Sequence, residues 1–392
     1  MLRVNVINNF FNALLFIKIT FPRSRIFALY KRMSEQQFIP SDFSILTQPV
    51  SVGWQSPSNI ALVKYWGKTD VQIPKNASLS FTLSACTTQT TIDFLPLSKP
   101  SSSVDFELFF EGKKNADFRP KIIDFFKRIA AYCPYLRHYQ LTIRSSNSFP
   151  HSSGIASSAS AMSALAMCIM ELEQHQQPEI TDLFFKQKAS FLARLGSGSA
   201  CRSIEGPLVG WGTHPRIPNS SDLYGVVLSD SVHPIFTSYR DTVLLVDRGQ
   251  KEVSSTVGHN LMNGHSFSDQ RFLQAQENMA GLIEVLAKGD VGGFVRIVEL
   301  EALSLHAMMM TSDPSFVLMK PNTLQIIQAV RAYRKETGIP VCFTLDAGAN
   351  VHLLYPDESA EKVMEWIENE LALYCQNQQY IHDRVGSGAK KM

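Results

Sequence analysis

The sequence is sparing in several things, and each narrows what the chain can be. Cysteine is scarce. The six residues Cys86, Cys133, Cys168, Cys201, Cys342 and Cys375 lie far apart, with no Cys-x-x-Cys pair. That spacing argues against a disulfide framework or a zinc site and fits a reducing compartment, so a cytoplasmic protein is expected. Long apolar runs are also missing. Phe10–Ile17 is apolar apart from Asn12, but it falls well short of the ~20 residues that span a bilayer. A surplus of one charge sign is absent as well. The net charge is +2, and residues 1–32 hold six basic residues (Arg3, Lys18, Arg23, Arg25, Lys31, Arg32) and no acidic ones. The remainder has 31 basic against 35 acidic residues, which does not read as a nucleic-acid binder. No internal repeat or low-complexity tract is seen.

What is present is ordinary globular composition, 45% hydrophobic, 18% charged and 10% aromatic, in 392 residues. That is enough for one large or two medium domains. Residues 1–32 are expected to be an upstream stretch left by start-codon choice and not part of the fold. A weak membrane anchor or targeting peptide is the alternative. Within the body, Val50–Gly53 followed by Ile60–Tyr65 predicts a strand, a turn and a short apolar run, and Leu79–Leu83 and Thr90–Leu95 alternate as half-buried strands do. Asp105–Phe110 and Gln140–Arg144 predict further strands. Helices are expected at Lys121–Tyr132, at Ser157–Glu173, and from a Thr181 cap to Gly196. The second half predicts strands at Val243–Val246 and Val341–Leu345, and helices at Phe272–Lys288, Val291–Met309, Asn322–Thr337 and Ala360–Tyr374. The Pro- and Ser-rich stretch Gly212–Ser221 is the expected boundary, dividing 33–215 from 216–392.

Four segments carry chemistry. Pro150–Ser160 (PHSSGIASSAS) lies between a strand and a helix, where small residues and a helix N-terminus offer amides to an anion. It has no Gly-Lys-Ser/Thr, so it is not a Walker A loop; a tightly packed Ala/Ser helix behind a turn is the plainer alternative. Gly196–Ser203 (GSGSACRS) joins two serines and an arginine on a glycine turn, a good oxyanion clamp, or simply a helix cap with a surface arginine. Ser58–Lys68 (SNIALVKYWGK) brings two lysines, an asparagine and a tyrosine together. Extended, it puts Lys64 and Lys68 on one face and Tyr65 on the other, although a turn at Trp66–Gly67 could gather them. An edge strand with solvated lysines is the alternative. Phe343–His352 (FTLDAGANVH) sets Asp346 at a strand end before a small-residue turn, as a base, a metal ligand or only a turn-former. His306 and the methionines beside it read as core.

Together these segments resemble the diphosphomevalonate decarboxylases of the GHMP kinase superfamily. NIALVKYWGK (59–68), FPHSSGIASSAS (149–160), SGSACRS (197–203) and FTLDAGANV (343–351) carry the resemblance, with PKNASLSFTL (74–83) and VSSTVGHN (253–260) beside them, in the family's order. The resemblance implies an α/β (α+β) fold in two lobes, an N-terminal kinase-like lobe and a C-terminal ferredoxin-like one, and a homodimer. It implies ATP as co-substrate, with Mg2+ held by the ATP phosphates and Ser158, and 5-diphosphomevalonate as the small-molecule substrate. Gly154, Ile155, Ala156, Ser157 and Ser158 would cradle the nucleotide phosphates. Asp346, Arg202 and Lys64 would be catalytic. Asn59, Ala61, Tyr65, Lys68, Ser197, Gly198, Ser199, Arg202, Ser255 and Thr256 would bind substrate, with Tyr65 and Lys68 on the diphosphate and Arg202 on the carboxylate near Asp346. His151-Ser152-Ser153 replaces the family's usual Thr-Ala-Ala, and Ala349 its usual proline. A relative acting on 5-phosphomevalonate, a kinase that stops at the 3-phosphate, and a non-catalytic nucleotide sensor are the competing readings.

Overall fold

The first strand is longer than its sequence pattern suggests. In the computed structural model of this chain, which describes residues 35–150, 155–228, 232–249 and 255–392, β1 runs unbroken from Val50 to Val63. Its partner β4 (Ser78–Pro96) likewise merges two expected strands into one of 19 residues. Pro57 cannot donate to the ladder, and the register shifts there: Pro57 pairs with Thr87 but Asn59 with Thr82. The residues 83–86 thus left over on β4 form a bulge. Its amides are not wasted: Ser84, Ala85 and Cys86 N–H donate to the Asp383 carboxylate at 2.8, 2.7 and 2.7 Å.

The chain continues through β2 (Lys68–Thr69) and β3 (Ile73–Pro74), then β5 (Asp105–Phe110), β6 (Lys113–Lys114), α1 (Arg119–Ile129) and β7 (Tyr139–Asn147). Next come α2 (Ser157–Gln176), α3 (Asp182–Gly196), a 3-10 turn at Gly198–Ser203, β8 (Leu208–Trp211) and β9 (Val226–Val227). The second half holds β10 (Arg240–Leu244), α4 (Ser255–Asn260), α5 (Ser268–Lys288), α6 (Val291–Met310), α7 (Pro321–Thr337), β11 (Cys342–Leu345), β12 (Val351–Tyr355), α8 (Ala360–Asn369), β13 (Tyr380–Arg384) and β14 (Lys390–Lys391).

Helix ends follow local chemistry. Thr181 Oγ1 accepts from Phe184 N–H to start α3, Asp290 does the same for Gly293 at α6, and Gly289 and Gly338 close α5 and α7 with φ of +72°. The last expected helix breaks early. After Asn369 the chain tightens into a 3-10 turn, Leu371–Tyr374, which buries Leu371 and Ala372.

Among the described residues, β14-β1-β4-β7-β5-β6 form one sheet, with β8 and β9 attached to β4, and β11-β12-β10-β13 form a second. This mixed α/β arrangement is the expected fold class, with β5 and β7 parallel. Residues 43–392 are one compact unit, and the residues up to Asp42 are another, whose described part has a 3-10 turn at Gln36–Phe38. Residues 1–32, on which an expectation was placed, lie outside the described residues. One face of the four-stranded sheet packs on α7 and α8 through Phe343, Leu353, Ile326 and Ile367. Its other face shares a core with the first sheet: Val243, Cys342 and Leu354 belong to one cluster with Leu79, Phe81, Met279 and Phe294. No helix among the described residues is long and apolar enough to cross a membrane.

A buried carboxylate on α6 ties the two halves. Glu301 is 0% exposed. It accepts Arg271 in a bidentate pair at 2.9 and 2.5 Å, Asn278 Nδ2 at 2.6 Å, and the Lys64 backbone N–H at 2.9 Å. Removing one partner of such a pair strands a buried charge. Glu301→Ala is therefore expected to lower stability by ~3–5 kcal/mol, read as a shift of the denaturant midpoint at constant slope.

Candidate active site

β1 delivers its last residues to a turn that sequence alone does not place. Lys64 leaves the strand end buried, with Nζ donating to Ala61 O at 2.6 Å and its carbonyl accepting Asn76 Nδ2 at 2.9 Å. Gly67 then turns the chain with φ +99°, a conformation natural to glycine. The turn separates the two lysines, which an extended segment would put on one face. Lys68 Nζ joins Tyr65 instead: both donate to Gln72 Oε1, at 3.2 and 3.4 Å. The Tyr65 ring packs between Trp211 and the His259 imidazole, at 4.6 and 4.2 Å between centroids.

The second segment forms the 3-10 turn 198–203. Asn59 braces it, donating to Ser203 Oγ at 2.7 Å and Ser199 O at 3.2 Å. Gly198 admits no side chain, because a Cβ would lie 2.9 Å from both Trp211 and Tyr65. Arg202 is a buried residue, against the surface-arginine alternative. Two serines one strand pleat apart on β4 hold it: Nε donates to Ser80 Oγ and Nη1 to Ser78 Oγ, each at 2.6 Å. Its guanidinium lies 5.7 Å from the centre of the Trp211 ring, and among the described residues Nη2 has no hydrogen-bond partner.

The third segment opens α2. Ala156 occupies the N-cap in the left-handed region, φ +47°, and offers no side-chain cap. The first amides of a 20-residue helix are thus left without the usual side-chain acceptor, the condition that favours an anion there. Ser158 Oγ lies 3.2 Å from Ser197 Oγ, linking this loop to the arginine turn. Ile155 is buried, and its carbonyl accepts from Ser58 Oγ. Ser157 begins the helix itself. Gly154 and the preceding His151-Ser152-Ser153 lie outside the described residues. Ser255 and Thr256 open α4.

Asp346 follows β11 and is half-buried. Its charge acts on Lys64 and Arg202, from two of the four segments, and on His259 and His306. Burial brings the Lys64 ammonium down to about 8, against support from Asp346 first and Glu301 second. Burial likewise lowers Arg202, with Asp346 among the groups that oppose the shift. It lowers Lys68 too, aided by Arg128, and raises the Tyr65 hydroxyl. His306 behaves as the satisfied core residue expected of it: buried, pushed down to about 4 by desolvation, with Nε2 3.2 Å from Asp346 O. Met308 and Met309 pack against Trp66 and Ala347.

Several neighbours escape sequence reasoning. Ser78 and Ser80 lie in a stretch whose period-two spacing puts both on one face, a readable signal. Gln72, Trp211 and Glu301 give none, because each reaches the site only through the fold, while His259 lies within the VSSTVGHN string but is given no role there. Among the described residues no group of three His, Cys, Asp or Glu side chains could hold a metal.

A family profile for the diphosphomevalonate decarboxylase-like N-terminal domain matches residues 56–222, and one for the mevalonate 5-diphosphate decarboxylase C-terminal domain matches 242–391. A diphosphomevalonate decarboxylase of Aspergillus fumigatus is 31% identical over 334 residues, covering 79% of this chain and 77% of that one. Mevalonate diphosphate decarboxylase from Staphylococcus aureus superposes with a TM-score of 0.76 at 26% identity, covering 89% of this chain and 100% of the other. The structure of MDDEF in complex with MVAPP, AMPPCP and magnesium gives 0.75 at 26% identity, covering 88% and 99%. With both halves of the chain matched by the family's own domains, this chain belongs to the diphosphomevalonate decarboxylase family.

Proposed function

We propose that the chain converts 5-diphosphomevalonate to isopentenyl diphosphate with ATP, releasing ADP, phosphate and CO2, as a carboxy-lyase of the mevalonate pathway. The observation that supports this most directly is the shared electrostatic reach of Asp346 over Lys64 and Arg202. One carboxylate beside two cations suits a substrate that carries both a hydroxyl to be phosphorylated and a carboxylate to be lost.

In the first step the tertiary 3-hydroxyl oxygen takes the γ-phosphoryl group and ADP leaves. Asp346 orients the hydroxyl and accepts its proton late, because a carboxylate near an arginine is a weak ground-state base. Phosphoryl transfer is mostly positioning and charge neutralisation. The uncapped start of α2 supports Gly154 through Ser158 as the cradle for the nucleotide phosphates. Bound there, Mg2+ would supply neutralisation of the nucleotide's phosphate charge, and the Ser158 hydroxyl is the side chain that would help the phosphates hold it. In the second step the C3–O bond breaks with its electron pair going to phosphate. The C1–C2 pair then forms the alkene, and CO2 departs. Arg202, clamped by Ser78 and Ser80, holds that carboxylate. Ser197, Gly198, Ser199, Asn59 and Ala61 shape the wall, with Ser255 and Thr256 at its edge, and Tyr65 and Lys68 hold the diphosphate, whose binding energy orients the reacting end.

We further read 33–215 and 216–392 as the two lobes, supported by the four-stranded sheet β11-β12-β10-β13 that lies wholly in the second, while β9 and β14 of the second also join the first sheet, and the protein as a cytoplasmic homodimer. All six cysteines are free and buried, which fits a reducing compartment.

A coupled assay with ATP and Mg2+ tests the activity. Equal ADP and CO2 from the diphosphate alone are expected. Turnover of 5-phosphomevalonate instead would move the substrate, and ADP without CO2 would mean a kinase that keeps its product. Asp346→Asn should lower kcat by ~10²–10⁴-fold while calorimetry finds ATP binding nearly intact; lost ATP binding would count against the role given to Asp346. Because Lys64 loses its proton near pH 8 in the free protein, kcat/KM should fall as pH rises through that value. In Lys64→Arg the residual activity should lack this limb, since guanidinium keeps its charge.

A further inference from the structure

His259 has been given no role above, yet its surroundings are specific. Only 7% exposed, its imidazole lies between the Tyr65 and Trp66 rings, at 4.2 and 4.7 Å between centroids. The preceding residue leaves no room for it to shift. A Cβ on Gly258 would come within 2.4 Å of Trp66, so α4 docks against that ring as closely as backbone allows. Nδ1 accepts the Gly67 N–H at 2.9 Å. A nitrogen that accepts is the unprotonated one, so in the neutral ring the proton sits on Nε2. Burial, with the nearby Lys68 charge, pushes the imidazole down to about 3, so it is neutral at any working pH. Among the described residues Nε2 has no hydrogen-bond partner.

The result is a neutral N–H donor with no hydrogen-bond partner among the described residues, carried by a ring that is more than nine-tenths buried and packs against Tyr65. The charges of Lys68 and Asp346 both reach it. Nε2 itself is not sealed off from solvent, so an anion beside Tyr65 and Lys68 can reach it. A neutral donor adds a hydrogen bond there without adding charge to a site that already holds three cations.

We propose that His259 is a substrate-binding residue that donates Nε2–H to a phosphate oxygen at the diphosphate end of the substrate, beside Tyr65 and Lys68. This rests on the reading that Tyr65 and Lys68 hold that end.

Two amide variants separate the functions of the two ring nitrogens. In His259→Asn the short amide oxygen can still accept from Gly67, but nothing reaches the Nε2 position. In His259→Gln the longer amide restores a donor there and loses the Gly67 acceptor. His259→Asn is expected to raise KM for 5-diphosphomevalonate about tenfold while kcat falls by less than about threefold and the melting temperature holds. His259→Gln should recover most of that KM. An unchanged KM in His259→Asn overturns the proposal. So does a joint loss of kcat, KM and melting temperature in both variants, which would mean that the ring acts only by holding the Gly67 turn. Lys68→Met is the control for the underlying reading. If its KM does not rise, the diphosphate end lies elsewhere and that reading fails; if it rises while His259→Asn is unaffected, only the role of His259 fails.

Discussion

Glu301 sits at zero exposure on a helix of the second half, and its charge is kept only because four donors converge on it. Arg271 fills two of those places and Asn278 a third, both from the adjacent helix α5. The fourth is the backbone amide of Lys64, 237 residues away in sequence. That last bond fixes where β1 ends. The exit of the chain from β1 in turn sets the position of Lys64, the Gly67 turn and the pairing of Tyr65 with Lys68. Glu301 also supports the Lys64 ammonium at a distance. One buried carboxylate thus sets both the geometry and part of the electrostatics of a site whose reacting groups it does not join.

The site keeps a narrow charge inventory. Asp346 acts on the cations of Lys64 and Arg202, while burial holds the two histidines its charge also reaches, His259 and His306, neutral. Each cation is also held by neutral oxygens: Lys64 by a carbonyl, Arg202 by two hydroxyls, Lys68 by an amide. Neutral partners orient a cation without cancelling it, so its charge remains available to a phosphate or carboxylate entering the site.

How much of this was legible beforehand depended on how local each cause was. Thr181 as the start of α3 and the small-residue helix after the serine loop could be read directly, because cap and periodicity lie within a few residues of each other. The four chemical segments were legible as strings, and the resemblance named their order. What the strings could not carry was pairing over distance. The Ser80 hydroxyl meets Arg202 across 122 residues, and His259 meets Gly67 across 192. The expected turn between Val50 and Tyr65 failed for the same reason: a bulge on β4, supplied with acceptors by Asp383, lets the strand run through. The split of the last helix also depended on the core needing Leu371.

The route of the final residues has a consequence for how the chain is made. β14 pairs with β1 at Trp54 and Gln55, the Met392 amide donates to Gly53 O at 2.9 Å, and Asp383 holds the β4 bulge. The sheet begun by the first hundred residues is therefore finished by the last ten. A nascent chain with its N-terminal half already outside the ribosome still lacks an edge strand and the acceptor for three bulge amides. Closure of that sheet therefore needs residues from both halves of the chain, so the first half cannot complete its own sheet before the second half has been made.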